Sequence, residues 1–277
     1  MTSWQKAIKY AAIAFAIFLC FSIIGGIASA AVSGFSYVFA KSESPGEMRD
    51  YTISSDITDL KIQIKASALS IKTGEHFKLQ SNGKNLDIEE ENGLLRITEK
   101  NRHLGFYNSD AVLELCLPEG TALNTVQIEA GAGKVTINQL TSGTLSLTFG
   151  AGEVNMKHLT ATNTSKINGG AGEITVQDGH FKDLDLNMGV GKLNLHAKLT
   201  GNCDFDLGIG TSNITLLGNM DEYCIRTKKG IGEITLDGKA VSNNTSTGSG
   251  PNNIKINGGI GEIHLRSDTT AKDRNKP

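Results

Sequence analysis

Apolar residues two apart, set on both sides of a Gly-x-Gly triplet, recur along the second half of this chain. Val126, Ile128, Val135 and Ile137 fill the pattern in the first copy, and Leu145, Leu147, Val154 and Met156 in the second. Leu184, Leu186, Leu193 and Leu195 fill the fourth, and Ile254, Ile256, Ile263 and Leu265 the last. The consensus is Φ-x-Φ-x-x-G-x-G-x-Φ-x-Φ, with Φ apolar. A period of two predicts half-buried strands, and no helical period of 3.6 appears here. The triplets are Gly131/Gly133, Gly150/Gly152, Gly170/Gly172, Gly189/Gly191, Gly208/Gly210, Gly230/Gly232 and Gly259/Gly261, at steps of 19, 20, 19, 19, 22 and 29 residues.

A fixed period of this size predicts one structural unit copied and stacked. Strand, glycine bend, strand and polar turn close a rung. A single rung cannot bury its apolar face, but stacked rungs can, with backbone hydrogen bonds at about 4.8 Å between neighbours. Seven rungs would make a rod of roughly 30 Å. The paired glycines read as structural turn residues, marking corners that need φ > 0 or leave no room for Cβ. The expected fold class is therefore all-β: a parallel β-solenoid of stacked ~19–20-residue rungs.

Two other uses of paired glycines fail on spacing. A dinucleotide fingerprint needs a third glycine and a helix behind it. After Gly191 come Lys192, Leu193 and Asn194, which alternate as a strand. A calcium-binding nonapeptide repeat needs an Asp two residues after the last glycine. That place holds Val135, Val154, Ile174, Leu193, Ser212, Ile234 and Ile263.

Ahead of the repeats, Ile53 onward shows shorter alternating runs, with Gly74, Asn82-Gly83 and Asn92-Gly93 as turns. They read as N-terminal rungs or a cap of the same body. Residues 101–110 form a loop. Residues 239–253, rich in Ser, Thr, Asn and Gly, account for the long last step as an inserted surface loop, and are also a candidate cap.

The front of the chain is of a different kind. Residues 10–40 hold no charged side chain, and Tyr10–Ala31 is mostly apolar, long enough for a helix to cross a bilayer. Lys6 and Lys9 precede it, which predicts a cytoplasmic N-terminus. A cleavable signal peptide is the rival, because Ala28-Ser29-Ala30 has the form of a cleavage site. Either reading exports the rest. The expected domains are a cytoplasmic stub and membrane anchor (1–40), a linker (41–50), the β-solenoid (51–266) and a disordered tail (267–277). The expected place is the cell membrane, single-pass, with the C-terminal domain extracytoplasmic.

The chain carries 27 Lys+Arg and 29 Asp+Glu; two of the lysines lie in 1–40, leaving 25 against 29 in the exported part. That balance gives no reason to expect nucleic-acid binding. Cys203 and Cys224 are about one rung apart and could stack within disulfide reach. Their register is off by one, and buried free thiols are the plainer reading.

The order of elements carries a resemblance. Leu60–Lys65 leads, followed by Gly-Leu-Leu-Arg-Ile (93–97), Val-Leu-Glu-Leu-Cys-Leu-Pro-Glu-Gly (112–120) and Val-Gln-Ile-Glu (126–129) entering the repeats. Residues 50–266 thus resemble the bacterial "putative adhesin" β-solenoid family, a domain of unknown function. The resemblance implies a body that follows one membrane helix, of a kind met in cell-envelope stress systems, and no catalytic residues.

The residue after each triplet forms a candidate charge ladder: Lys134, Glu153, Glu173, Lys192, Glu233 and Glu262, with Thr211 at the fifth rung. Stacking would set Glu173 favourably beside Lys192, and Glu153 unfavourably beside Glu173. His158, His180 and His196 fall at different offsets within their rungs, which argues against a metal site. No His-Glu-x-x-His or Gly-x-Ser-x-Gly occurs. The single tryptophan, Trp4, lies at the membrane end, which weakens a carbohydrate-active reading. The expectation is a non-enzymatic, membrane-anchored module without cofactor or metal. It would bind an envelope ligand or protein, or act as a scaffold, with envelope-stress response as a further expectation. The alternative is a polysaccharide-acting β-helix enzyme.

Overall fold

The computed structural model describes residues 46–54, 56–100 and 111–269, all within the unit Ser44–Pro277. The segment expected to cross the membrane lies outside the described residues. Among those described, no helix is long and apolar enough to do so.

In chain order the strands are β1 (Arg49–Tyr51), β2 (Asp59–Ile64), β3 (Ala68–Gly74), β4 (Lys78–Ser81), β5 (Leu86–Glu91), β6 (Leu94–Glu99) and β7 (Val112–Pro118). Then come β8 (Ala122–Lys182), β9 (Leu184–Thr200), β10 (Asn202–Leu217) and a 3₁₀ turn, Met220–Glu222. β11 (Tyr223–Lys228), β12 (Ile231–Leu236), β13 (Lys239–Ala240), β14 (Thr245–Thr247) and β15 (Asn252–Asp268) complete the chain. β1 begins inside the expected linker, and β15 runs two residues past the expected solenoid end. The fold is all-β, and the long strands pair in parallel as a β-solenoid-like stack.

β8 is continuous because it is not one straight strand. It passes three glycine bends, and Gly150 and Gly170 lie over Gly131 and Gly150 respectively. The sixteen apolar positions quoted for copies one, two, four and last are all buried, none more than 5% exposed. Each such side chain contributes about 1.5–3 kcal/mol by leaving water. Together with Phe181, Phe205 and Tyr223 they make one core between the two arms of every rung.

The glycine corners lie inside strands: the chain bends at each pair and the strand runs on through it. Gly131, Gly133, Gly150, Gly152, Gly170 and Gly172 all fall within β8. Gly189 and Gly191 fall within β9, Gly208 and Gly210 within β10, and Gly259 and Gly261 within β15. Gly232 lies in β12, and Gly230 falls outside it by one residue. The reason is that each corner sits on an identical corner. Gly152 lies over Gly133 and Gly172 over Gly152, and Gly172 is the register partner of Gly191. The chain changes direction in every rung at the same height, so the ladder between rungs follows it round the corner unbroken. A turn closes a hydrogen bond within its own chain segment; these bends bond to the rungs before and behind instead.

The rungs do not stack in sequence order, and this corrects the expected tower. β15 lies between β10 and the β11–β12 rung, parallel to both. The spatial order of the last three bends is therefore Gly208/Gly210, Gly259/Gly261, Gly230/Gly232. The front end does the same in mirror fashion. β2 and β3 form a rung that pairs on one side with β8 and on the other with the later strands β6 and β7. The first and last rungs of the sequence are thus both threaded into the interior of the stack.

Antiparallel strands close the two ends. β5 lies against β6, β4 against β7, and β1 against β4. At the other end β13 lies against β12, and β14 against β11. Residues 239–247 are therefore a cap rather than a free surface loop, and Val241 packs on the core. The run Glu89-Glu90-Glu91 is the exposed second half of edge strand β5, beside the Asn92-Gly93 turn. Charge on an edge strand discourages further pairing there.

Candidate functional site

The bends are the distinctive surface. In each triplet the second glycine has positive φ, from +131° at Gly133 and +133° at Gly152 and Gly172 to +141° at Gly232. L side chains rarely adopt that region. A Cβ on either glycine of the six later pairs would collide with a glycine carbonyl of the neighbouring rung. Gly133, the foremost of these second glycines, is the exception: its Cβ would meet nothing closer than the Ala66 carbonyl oxygen at 3.5 Å. There φ alone calls for glycine, whereas Gly152 and Gly172 are held by φ and by lack of space. Two flat columns of glycine result. At the front the columns end against Lys65, whose carbonyl oxygen lies 2.6 Å from where a Gly131 Cβ would be. The bend joining β2 to β3 (Lys65, Ala66, Ser67) carries side chains instead. Its three backbone N–H groups donate to Oε2 of the buried Glu99, at 2.6, 3.2 and 3.4 Å. A carboxylate here satisfies donors that a bend would otherwise leave unpaired.

Between the glycine columns runs a third, outward-facing column. Its spatial order is Ala132, Ala151, Ala171, Val190, Ile209, Ile260, Ile231. It grows from methyl groups at one end to branched aliphatics at the other. Ile231 is 65% exposed and Ile260 37%, two of the three large apolar residues that face solvent among the described residues.

Polar ladders flank this ridge. On one side stand Lys134, Glu153, Glu173, Lys192, Thr211, Glu262 and Glu233, in that spatial order. Lys134 bridges Glu153 at 3.5 Å, and Lys192 bridges Glu173 at 3.2 Å. Glu262 and Glu233 are register partners of like charge, and their order is the reverse of the sequence order. On the other side stand Glu129, Thr148, Asn168, Asn187, Asp206, Asn257 and Lys228. Amides bond along this ladder: Asn187 donates to Asn168 at 3.1 Å, and Asn257 to Asp206 at 2.6 Å. One rung position further out, Lys255 pairs with Asp204 at 2.8 Å, and that hydrogen bond raises the lysine pKa.

The carboxylates nearest a cleft serve the fold. A groove beside the first bends is lined by Gln63, Lys65, Glu99, Lys100 and Glu129, among others. Glu99 is taken by the three backbone donors, and Glu129 accepts from Gln63 and Gln127 at 3.0 and 2.7 Å. Among the described residues no group of three His, Cys, Asp or Glu side chains could hold a metal ion. The structure nevertheless brings two histidines to one aspartate. Asp178 Oδ2 lies 3.0 Å from His158 Nδ1, and Oδ1 lies 3.4 Å from His180 Nε2. A register irregularity between Val176 and Gly179 shifts His180 relative to the plain repeat, and a bulge of this kind is invisible to offset counting.

Cys203 and Cys224 are both free. β15 separates them: Cys203 pairs in register with Ile254, and Cys224 with Asn253. Adjacent-rung bridging, one of the two readings of the spacing, is thereby excluded. Burial pushes the Cys203 thiol up to about 11, so it is no nucleophile near neutral pH. Tyr223 donates to the Leu217 carbonyl at 2.6 Å, and burial pushes its hydroxyl up to about 12.

Fold and surface together define a stacked all-β repeat protein whose corners are made by glycine. The family model described as Toastrack DUF4097 matches residues 50–272. The chain belongs to that family, a domain of unknown function. Among solved structures it is similar to a "putative adhesin" of Bacteroides fragilis, at 12% identity and a TM-score of 0.45, covering 80% of this chain and 98% of that one. A "putative cell adhesion protein" of Clostridium sporogenes shows 17% identity and a TM-score of 0.33, covering 80% and 99%. A "putative adhesin" of Parabacteroides distasonis shows 16% and 0.38, covering 80% and 98%. At these identities the likenesses say nothing of what this chain binds. No curated protein matches the chain.

Proposed function

We propose that this chain is a non-enzymatic module of the cell envelope, anchored by residues 1–40 and displaying its β-stack outside the membrane. There it binds an envelope component or holds other proteins in place, as part of the response to envelope stress. One observation carries the reading: most charged side chains flanking the bends stand in ladders and pair along the stack, and the groove carboxylates are taken up by donors of the fold itself. Lys134–Glu153, Glu173–Lys192 and Asp204–Lys255 are all paired this way. Catalysis needs a positioned acid, base or nucleophile with its working atom free. The rival, a polysaccharide-acting enzyme, would have to use the groove at Glu99 and Glu129, whose carboxylates already hold the fold.

Two measurements test the proposal. Protease applied to intact cells should cut the stack while sparing cytoplasmic markers. Purified protein should be retained on cell-wall fragments, anionic vesicles or an immobilised cationic peptide. A stack shielded from external protease, or one retained on none of the three supports, overturns the reading.

A further inference from the structure

We infer that the glycine-flanked ridge is a self-association surface: two copies of this chain pack ridge to ridge, antiparallel, about a two-fold axis at Val190. This goes beyond the envelope reading and does not depend on it.

Val190 is the middle of seven ridge positions. Turning the ridge end for end about it sets Ala171 against Ile209 of the second copy, Ala151 against Ile260, and Ala132 against Ile231. Every small residue meets a large one. An isologous two-fold contact requires that relation, residue i meeting j and j meeting i. The glycine columns on either side carry no side chains, so a partner's aliphatics could approach the backbone closely.

Charge follows the same symmetry. Among the described residues, Lys228 and Glu233 have no ion-pair partner, and both are exposed at the isoleucine end. The same rotation brings Lys228 to Glu129 of the second copy, and Glu233 to Lys134. Asn168 meets Asp206, Thr148 meets Asn257, and Asn187 meets its own counterpart. Two pairings oppose it: Glu153 meets Glu262, and Lys192 meets Lys192. Glu153 and Lys192 are already bridged within their own chain, at 3.5 and 3.2 Å, which blunts both, and the first of these bridges has Lys134 shared between Glu153 and the second copy's Glu233. A head-to-tail extension of the stack is disfavoured, because its front edge is made of β1, three residues long, and β5, with three consecutive glutamates.

The ridge spans six steps of about 4.8 Å, about 29 Å in all. So narrow a contact makes a concentration-dependent dimer rather than a permanent one. Sedimentation of the full-length chain over a concentration series reads it directly. A monomer–dimer equilibrium is expected. Val190→Lys, which sets two ammonium groups across the axis, should weaken it at least about tenfold while leaving the melting temperature in place, since the side chain faces outward. Lys228→Glu should weaken it as well, and Glu129→Lys added to the same chain should restore it. A chain that stays monomeric throughout the series, a dimer indifferent to Val190→Lys, or a charge reversal without rescue overturns the inference.

Discussion

At the scale of single residues, the glycine requirement has a direction. A Cβ at Gly150 would point back at Gly131, one at Gly210 at Gly191, and one at Gly232 at Gly261. In each of the six later pairs the nearest obstacle is the rung on its front side. That is why the first bend can carry Lys65, Ala66 and Ser67: Glu99 lies before it, not another glycine corner. Space and φ can be separated by mutation. Gly210→Ala meets both a carbonyl and φ +138°, whereas Gly120→Ala meets φ +77° with nothing within 4 Å. Urea unfolding should show a loss of about 3 kcal/mol or more for the first, and about 1 kcal/mol for the second. Equal losses would refute the packing account. The buried Cys203 and Tyr223 set an alkaline limit. Their folded pKa values, about 11 and 12, lie above the ordinary 9.0 and 10.0. The folded state therefore holds its protons longer, and that stability is complete below about pH 9 and lost as pH rises through 11 and 12. Cys203→Ala should flatten the first part of that loss in pH-dependent melting curves.

At the scale of elements, β15 holds the back of the molecule together. It is the strand that pairs with both β10 and the β11–β12 rung, by in-register parallel ladders on its two edges, and the Tyr223 hydroxyl on the Leu217 carbonyl adds a direct tie between β11 and β10. A chain ending at Gly250 would leave two facing, unpaired, apolar-lined edges. Such edges are aggregation sites. We expect that truncated chain to be insoluble, or to be digested from β11 onward in limited proteolysis. A soluble, protease-resistant product would show that β11 and β12 can dock on β10 unaided. The caps follow the same logic with smaller parts. β13 and β14 are two and three residues long, and they close the core without building a new edge worth pairing.

At the scale of the whole stack, threading changes how the molecule opens. In a simple repeat array the terminal units fray first, and stability is a sum of neighbour terms. Here the first and last rungs of the sequence are interior, so neither can leave without parting rungs on both sides. Native-state hydrogen exchange should therefore protect β2, β3 and β15 as strongly as β9, and protection should fall only in β1, β5, β13 and β14. Rapid exchange in β15 would contradict the intercalated topology. The same topology makes contacts of long sequence separation, and slow folding is expected from it.

The recurrence of Φ-x-Φ around Gly-x-Gly determined much of this by itself. Period-two alternation can bury one face of a strand and no other element, and a Cβ-free corner repeated at near-constant spacing has one economical use. Val126 through Leu265 were legible as core for that reason, and so was the column that sets Glu173 beside Lys192. That Gly133, Gly152 and Gly172 bend a strand without ending it was not legible, because the bonds that carry the strand through them come from other rungs. The order of the rungs was likewise decided by tertiary structure alone. Any rung carrying the same consensus offers the same ladder and the same apolar face to any neighbour, so local pattern cannot say that Ile254–Leu265 slips in front of Ile225–Leu236. Only the packing of the whole stack, with its capped ends and their paired edges, distinguishes those arrangements. The taper from Ala132 to Ile231 exists only once that order is known.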